Sequence, residues 1–206
     1  MPSLYLFRHA QSVMNESYTH LVGGRSNHVS LTALGESQAQ RLGLWIRANC
    51  PMPDAIYVSP AARTIQTARI ALDMAGIGLP YEIEDRLQEL SQGVNEGKLR
   101  DEVYTPDVKS VIAIQQKDFK FEKGDSMNEV YARVDNWAEE AIRKPEAEVV
   151  YGFTHGFSAR CYVGGKEGWD HAAIRSNDMG NAAATIVNFD DKLRYLRTDF
   201  NINTQI

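Results

Sequence analysis

Two arginines and two histidines in this chain have the types and settings that chemistry at an anion requires. Arg8 and His9 are adjacent, directly after the run Leu4-Tyr5-Leu6-Phe7, and Gln11, Ser12 and Asn15 follow within one short stretch. Arg63 lies in Ser59-Pro60-Ala61-Ala62-Arg63, after the short apolar segment that ends at Val58. His155 follows a third apolar run, in Thr154-His155-Gly156. A neutral imidazole is a nucleophile near neutral pH, since its reference pKa is ~6.5. A guanidinium beside it offers a planar fork suited to phosphate. Each group alone also reads as an ordinary strand-end polar residue or an exposed arginine. Together, two histidines and two arginines would suit one tetrahedral anion, provided the strands they follow lie side by side.

The elements that must position them are legible in outline. The first run reads as a strand buried on both faces, and in open α/β folds ligands bind at the C-terminal edge of the sheet. Adjacent residues on a strand face opposite ways, so Arg8 and His9 serve one ligand only if the chain leaves the strand there. Ala10 and Ser12 are small enough for a close turn. Thr32 is placed to cap a helix reaching about Asn49, closed by Pro51 and Pro53. Asp54 to Val58 forms a second strand. Ser59 then suits an N-cap and Pro60 the first position of a helix that ends near Ala75, before Gly76 and Gly78. Arg63 falls in the first turn of that helix, where free N–H groups favour an anion. A third, short strand is expected over Pro80 to Glu84. Glu89 follows before the turns at Gly93 and Gly97, where a surface carboxylate is the commoner fate of a glutamate.

Asn15 to Ser30 reads as a functional loop, turning at Gly23-Gly24. The segment 98–125 is the least regular. Thr105-Pro106 can start a helix with Val108, Val111 and Ile112 on one face, and the remainder reads equally as a lid or as a surface excursion. Ser126-Met127-Asn128-Glu129 is a capping box, followed by apolar residues at helical spacing as far as Ile142. Ala147 to Phe153 is a strand, and Gly156 would let a ligand approach the backbone. Ala182 to Asn188 and Leu193 to Phe200 form two last strands around a turn at Asp190-Asp191, the second antiparallel to its neighbour.

Composition sets limits. The chain has 206 residues, 43% of them hydrophobic, and a formal net charge of −5. That fits one domain with a sizeable core, and neither the charge nor any Lys/Arg run points to nucleic acid or a membrane surface. Cys50 and Cys161 have no metal or redox spacing, which indicates a reducing compartment and no disulfide scaffold. No signal-like or membrane-spanning run is present, so a cytoplasmic location is expected. None of the five histidines, His9, His20, His28, His155 and His171, is paired at helical metal-ligand spacing, so no metal is expected.

Arg8-His9-Ala10-Gln11-Ser12 with Asn15 resembles the signature of the histidine phosphatase superfamily, also called phosphoglycerate-mutase-like. The usual third residue is Gly, and Ala10 replaces it here, which a negative φ would tolerate. Leu31-Thr32-Ala33-Leu34-Gly35, Ser59-Pro60 with Arg63 to Ala68, Glu89 before Gly93, and Thr154-His155-Gly156 match in order. The resemblance covers nearly the whole chain, with 98–125 and the last twenty residues of the sequence poorly constrained. It implies a single three-layer α/β/α domain over 1–206, a mostly parallel sheet and an antiparallel C-terminal strand. It implies His9 as the nucleophile that becomes phosphohistidine, with Arg8, Arg63 and His155 holding phosphoryl oxygens. Asn15 and Gly156 would add to the phosphate site, and Glu89 matches the proton donor. No cofactor is implied, because arginines take the place of a metal.

The expected substrate is a small phosphorylated metabolite, with inorganic phosphate as product and a homodimer as one possible assembly. Arg25 and His28 are candidates for holding a second negative group on it. Mutases of the family usually carry a Trp near the first Asn and a longer insertion. Both are lacking here, which favours hydrolysis. A cofactor-dependent mutase, a phosphoprotein phosphatase and a non-catalytic phosphate-binding module stay open as alternatives, although an intact His9 and Glu89 speak against the last.

Overall fold

The computed structural model describes residues 1–145 and 147–205. Its frame is a six-stranded sheet in the order β3-β2-β4-β1-β5-β6. The strands are β1 (Ser3–Arg8), β2 (Ala55–Val58), β3 (Glu82–Ile83), β4 (Val149–Thr154), β5 (Ala184–Phe189) and β6 (Tyr195–Ile202). The pairs β1–β4, β4–β2 and β2–β3 are parallel, whereas β1–β5 and β5–β6 are antiparallel. The antiparallel C-terminal end expected from the sequence is present: β5 runs against β1, and β6 against β5.

Helices cover both faces, as the doubly buried strands require. Besides the short α1 (Val13–Glu16), α4 (Arg100–Val103), α5 (Pro106–Gln115) and α8 (His171–Ser176), four longer helices form the layers: on one face α2 (Ala33–Asn49) and α3 (Ala62–Ala75) pack over Phe7, Tyr151 and Phe153. On the other, α6 (Met127–Ile142) and α7 (Gly156–Glu167) bury Trp137, Tyr162 and Val134 against Leu4, Leu6 and Val150. Gly152 is required at the centre of β4, because a Cβ there would meet the Trp137 ring at 2.7 Å. The α6 capping box forms as expected: Ser126 Oγ accepts from Glu129 N at 3.1 Å, and Glu129 accepts from Ser126 N at 2.8 Å.

The Thr32 cap also forms, accepting from Gly35 N at 3.0 Å. The same turn ties α2 to the end of β1, since Thr32 N donates to Gln11 O at 3.1 Å. Gly35 lies so close to that carbonyl that a Cβ would meet it at 2.0 Å. The Thr-x-x-Gly pattern thus fixes the corner after His9 as well as starting a helix.

The start of α3 differs from the expectation. Its N-cap is Ala61, not Ser59. Ser59 stays on the sheet, where its N–H pairs with Phe153 O at 3.0 Å, and its hydroxyl is used elsewhere. The helix over Pro106–Gln115 exists with Thr105 as its cap, but it buries none of its residues, and Val111 and Ile114 are exposed. It stands outside the layers, in the segment 98–125. Cys50 and Cys161 are free thiols. No helix among the described residues is long and apolar enough to cross a membrane.

Candidate active site

Sheet register does most of the assembly. Arg8 is level with Thr154 across the β1–β4 pair, and Val58 is level with Phe153 across β2–β4. The residues one step beyond, His9, His155 and Ser59, therefore leave the sheet side by side at its C-terminal edge. His9 N donates to Thr154 O at 3.0 Å, and the two imidazole centroids are 5.2 Å apart at 64°.

His9 is 4% exposed. Its Nδ1 lies 2.8 Å from Ala10 O. A carbonyl can only accept, so Nδ1 carries the proton and Nε2 keeps its lone pair. Burial, reinforced by the charges of Arg63 and Arg8, holds the imidazole well below its ordinary pKa. Ala10 sits at negative φ, so the missing glycine costs the turn no backbone strain. Its N–H donates to Thr67 Oγ1 at 3.1 Å, and Thr67 Oγ1 donates in turn to Arg63 O at 2.7 Å.

Arg63 is 4% exposed. Its Nη1 donates to Ser26 O at 3.0 Å and its Nη2 to Arg25 O at 3.0 Å. Nη2 also lies 3.0 Å from His155 Nδ1. Arginine has no acceptor, so His155 Nδ1 accepts and its proton sits on Nε2, which donates to Ser59 Oγ at 2.8 Å. Burial and the Arg63 charge keep His155 neutral, well below the ordinary imidazole value. Burial also lowers Arg63, to about 10.

Arg8 donates through Nη1 to Met179 O, and its Nε is buried with no partner among the described residues. An orphaned, buried guanidinium N–H is what an absent anion would satisfy. Gly156 packs against Arg8. A Cβ on it would meet Arg8 Nε at 2.9 Å, so the missing side chain makes room for the arginine. Asn15 Oδ1 accepts from Ser12 N at 3.2 Å and Ser12 Oγ at 3.0 Å. Its Nδ2 has no partner among the described residues.

Glu89 caps α7. Its Oε2 accepts from Phe157 N at 3.2 Å, and its Oε1 accepts from Ser158 N at 3.0 Å and from Leu90 N at 2.9 Å. A carboxylate suits the positive end of a helix.

A cavity of about 330 Å³ is lined by Arg8, His9, Asn15, Arg63 and Glu89, together with Arg100 and Arg160. Of the residues anticipated for the phosphate site, Gly156 and His155 do not line it. His155 is fully buried behind Arg63 with both ring nitrogens engaged. Arg25 and His28 line a separate cavity, and the Arg25 side chain pairs with Asp125 at 3.2 Å. What Arg25 contributes is its carbonyl, held by Arg63. Its N–H and that of Ser26 donate to Glu96 at 3.0 and 3.2 Å.

Ser59, Thr67, Glu96 and Asn181, whose Nδ2 is 3.4 Å from His9 O, were not singled out as site residues from the sequence. Only Thr67 carried a signal, one helical turn after Arg63 on the same face of α3. Arg100 and Arg160 come from surface-like contexts. No group of three or more His, Cys, Asp or Glu residues that could hold a metal ion occurs among the described residues.

Comparison with known proteins agrees with this geometry. Over 99 residues the chain is 39% identical to phosphoglycerate mutase 1 of Saccharomyces cerevisiae, a match covering 48% of this chain and 39% of that protein. The chain thus matches well under half the length of that curated relative. A longer match, 28% identical over 193 residues, covers 93% of this chain and 86% of a probable phosphoglycerate mutase GpmB of Enterobacter sp. (strain 638). Among solved structures, a mycobacterial glucosyl-3-phosphoglycerate phosphatase in complex with VO3 superposes with a TM-score of 0.82 at 21% identity, covering 98% of this chain and 100% of that one. The profile of the histidine phosphatase superfamily (branch 1) matches residues 4–201, and the chain belongs to that superfamily.

Proposed function

We propose that the protein is a metal-independent phosphomonoester hydrolase that works through a phosphohistidine on His9. One observation carries this reading. A cavity at the sheet edge holds a histidine whose Nδ1 proton is tied to a carbonyl and whose Nε2 is unprotonated, beside two arginines and one carboxylate.

In the first step His9 Nε2 attacks phosphorus and the P–O bond to the leaving group breaks, roughly in line. Arg8 and Arg63 stabilise charge on the equatorial oxygens, and being fixed by Met179, Arg25 and Ser26 carbonyls they need no reorganisation. Asn15 Nδ2 adds a neutral donor. Glu89 supplies the proton to the leaving oxygen and then takes one from the water that attacks the phosphohistidine. His155 acts by orienting Arg63, and a direct contact with a phosphoryl oxygen would require it to exchange that bond.

Hydrolysis is favoured over a mutase reaction because no Trp precedes Trp45 in the chain, whereas mutases of the family usually carry one near the first Asn. The protein is assayed for phosphate release from a panel of phosphomonoesters with excess EDTA, beside His9→Ala. EDTA-resistant release that disappears in H9A supports the proposal. Release only after priming with a bisphosphoglycerate would replace it with a mutase.

A further inference from the structure

Glu89 and Arg160 line two cavities. The first holds His9. The second, about 290 Å³, adjoins it through these residues and Arg100 and includes Tyr104, Phe119, Phe121 and Phe157. Three of these aromatics belong to the irregular segment 98–125, and they form one wall: Phe119 and Phe121 pack edge to face at 4.9 Å, as do Tyr104 and Phe121 at 5.7 Å. The opposite wall is Phe157, with the Arg160 guanidinium 4.7 Å from its ring centroid.

Position follows from the reaction, and so rests on the hydrolase reading above. A proton donor must touch the leaving oxygen. The body attached to that oxygen therefore begins at Glu89, which also lines this second chamber. Its size suits one ring with a substituent and not a folded segment of protein. Its aromatic walls favour a planar apolar body.

Charge adds a second requirement. Arg100 and Arg175 line the chamber without an ion-pair partner among the described residues. Arg160, with its side chain 14% exposed, donates to Gly156 O and Arg175 O, and its one ion pair among the described residues is with the largely solvated Asp178 at 3.8 Å. The acids of the chamber are already occupied, Asp125 by Arg25 and Arg133 and Glu89 by the start of α7. The chamber is left with an excess of guanidinium forks suited to an anion.

We infer that this chamber binds the leaving group, and that the substrate is a phosphomonoester of a planar, ring-containing alcohol or phenol that carries a second anionic group. Segment 98–125 serves as the wall that selects it.

Binding to the H9A protein is measured by calorimetry for glycerol phosphate, phenyl phosphate, para-carboxyphenyl phosphate and para-phenylene bisphosphate. Burying one ring predicts about tenfold tighter binding of phenyl phosphate than of glycerol phosphate. A further gain is expected from the carboxylate or the second phosphate, and the larger gain identifies the second anion. Phe121→Ala in the H9A background should remove most of the ring preference, with Phe119→Ala as an independent variant should F121A fold poorly. Arg160→Gln should remove the gain from the second anion. Equal affinities across the series, or preferences untouched by these variants, would overturn the inference. Turnover by the native protein separates the two readings. Ring-selective binding without turnover of any of the four sinks the hydrolase and keeps the chamber. Turnover of all four at one kcat/KM, with flat affinities, does the reverse.

Discussion

Arg63 and His155 meet through Nη2 and Nδ1 at 3.0 Å, and this contact decides the protonation of the second histidine. Because the arginine can only donate, the imidazole must accept, and its proton must face Ser59. The same guanidinium holds the carbonyls of Arg25 and Ser26, so the loop before α2, the start of α3 and the end of β4 converge on one side chain.

Arg63→Lys keeps a positive charge but has no fork. A lysine cannot hold two carbonyls, His155 and a phosphoryl oxygen together. Steady-state kinetics should show kcat/KM lowered by roughly a hundredfold or more. Unchanged kinetics in R63K would remove Arg63 from the account.

Gly156→Ala tests the seat of Arg8. Alanine is well tolerated in the first turn of a helix, but its Cβ would lie 2.9 Å from Arg8 Nε and 3.1 Å from Cζ. The guanidinium must shift, and misplaced positioning groups cost catalysis steeply. The expected result is kcat/KM down by about tenfold or more with an unchanged melting temperature. Full activity would mean that Arg8 needs no such fixed position.

Much of this arrangement was legible in the sequence. Apolar runs ending in polar clusters located β1, β2 and β4, because a doubly buried strand has to be apolar throughout and its edge is where polar groups can begin. Thr32 and Ser126 announced helix starts through local hydrogen bonds that involve only four consecutive residues. Ser59 misled for a related reason. Serine before proline is a local cap pattern, but His155, 96 positions away, takes its hydroxyl, and nothing local records that partner. The roles of Arg25, Gly156 and His155 depended likewise on which distant side chain filled the neighbouring space. Arg25 was a free cation in the sequence and is a partner of Asp125 in the structure. The aromatic wall of 98–125 was illegible because its residues do not repeat with the period of a helix or strand.

Glu89→Gln separates a proton donor from a helix cap. Glutamine keeps an acceptor for the α7 N–H groups but has no proton to transfer. For an alkyl phosphate kcat should fall by about a hundredfold or more, and for para-nitrophenyl phosphate, whose leaving group needs no proton, by far less. Equal losses on both substrates would assign Glu89 a structural role only.

Stability should depend on pH through the two buried imidazoles. Burial, with Arg63 next, holds both well below the ordinary value. Their folded-state pKa values are depressed, so between those values and ~6.5 the unfolded chain binds more protons. The stabilisation is complete above ~6.5 and is lost as pH falls through that window, by up to about 1.4 kcal/mol per pH unit for each histidine. Urea unfolding of the native protein and of His9→Asn across this range should give a shallower slope for H9N. Parallel curves would contradict the neutral, buried state of His9.

The central claim is covalent transfer to His9 Nε2, and the most direct measurement is to trap it. The protein is mixed with a phosphomonoester that it turns over, quenched in alkali within one turnover, and examined by intact-protein and peptide mass spectrometry. The account predicts one added phosphoryl group on the peptide containing His9, stable in base, lost in acid and missing from H9A. Turnover with no phosphorylated peptide in that first cycle, or with the phosphoryl group on another residue, would contradict it.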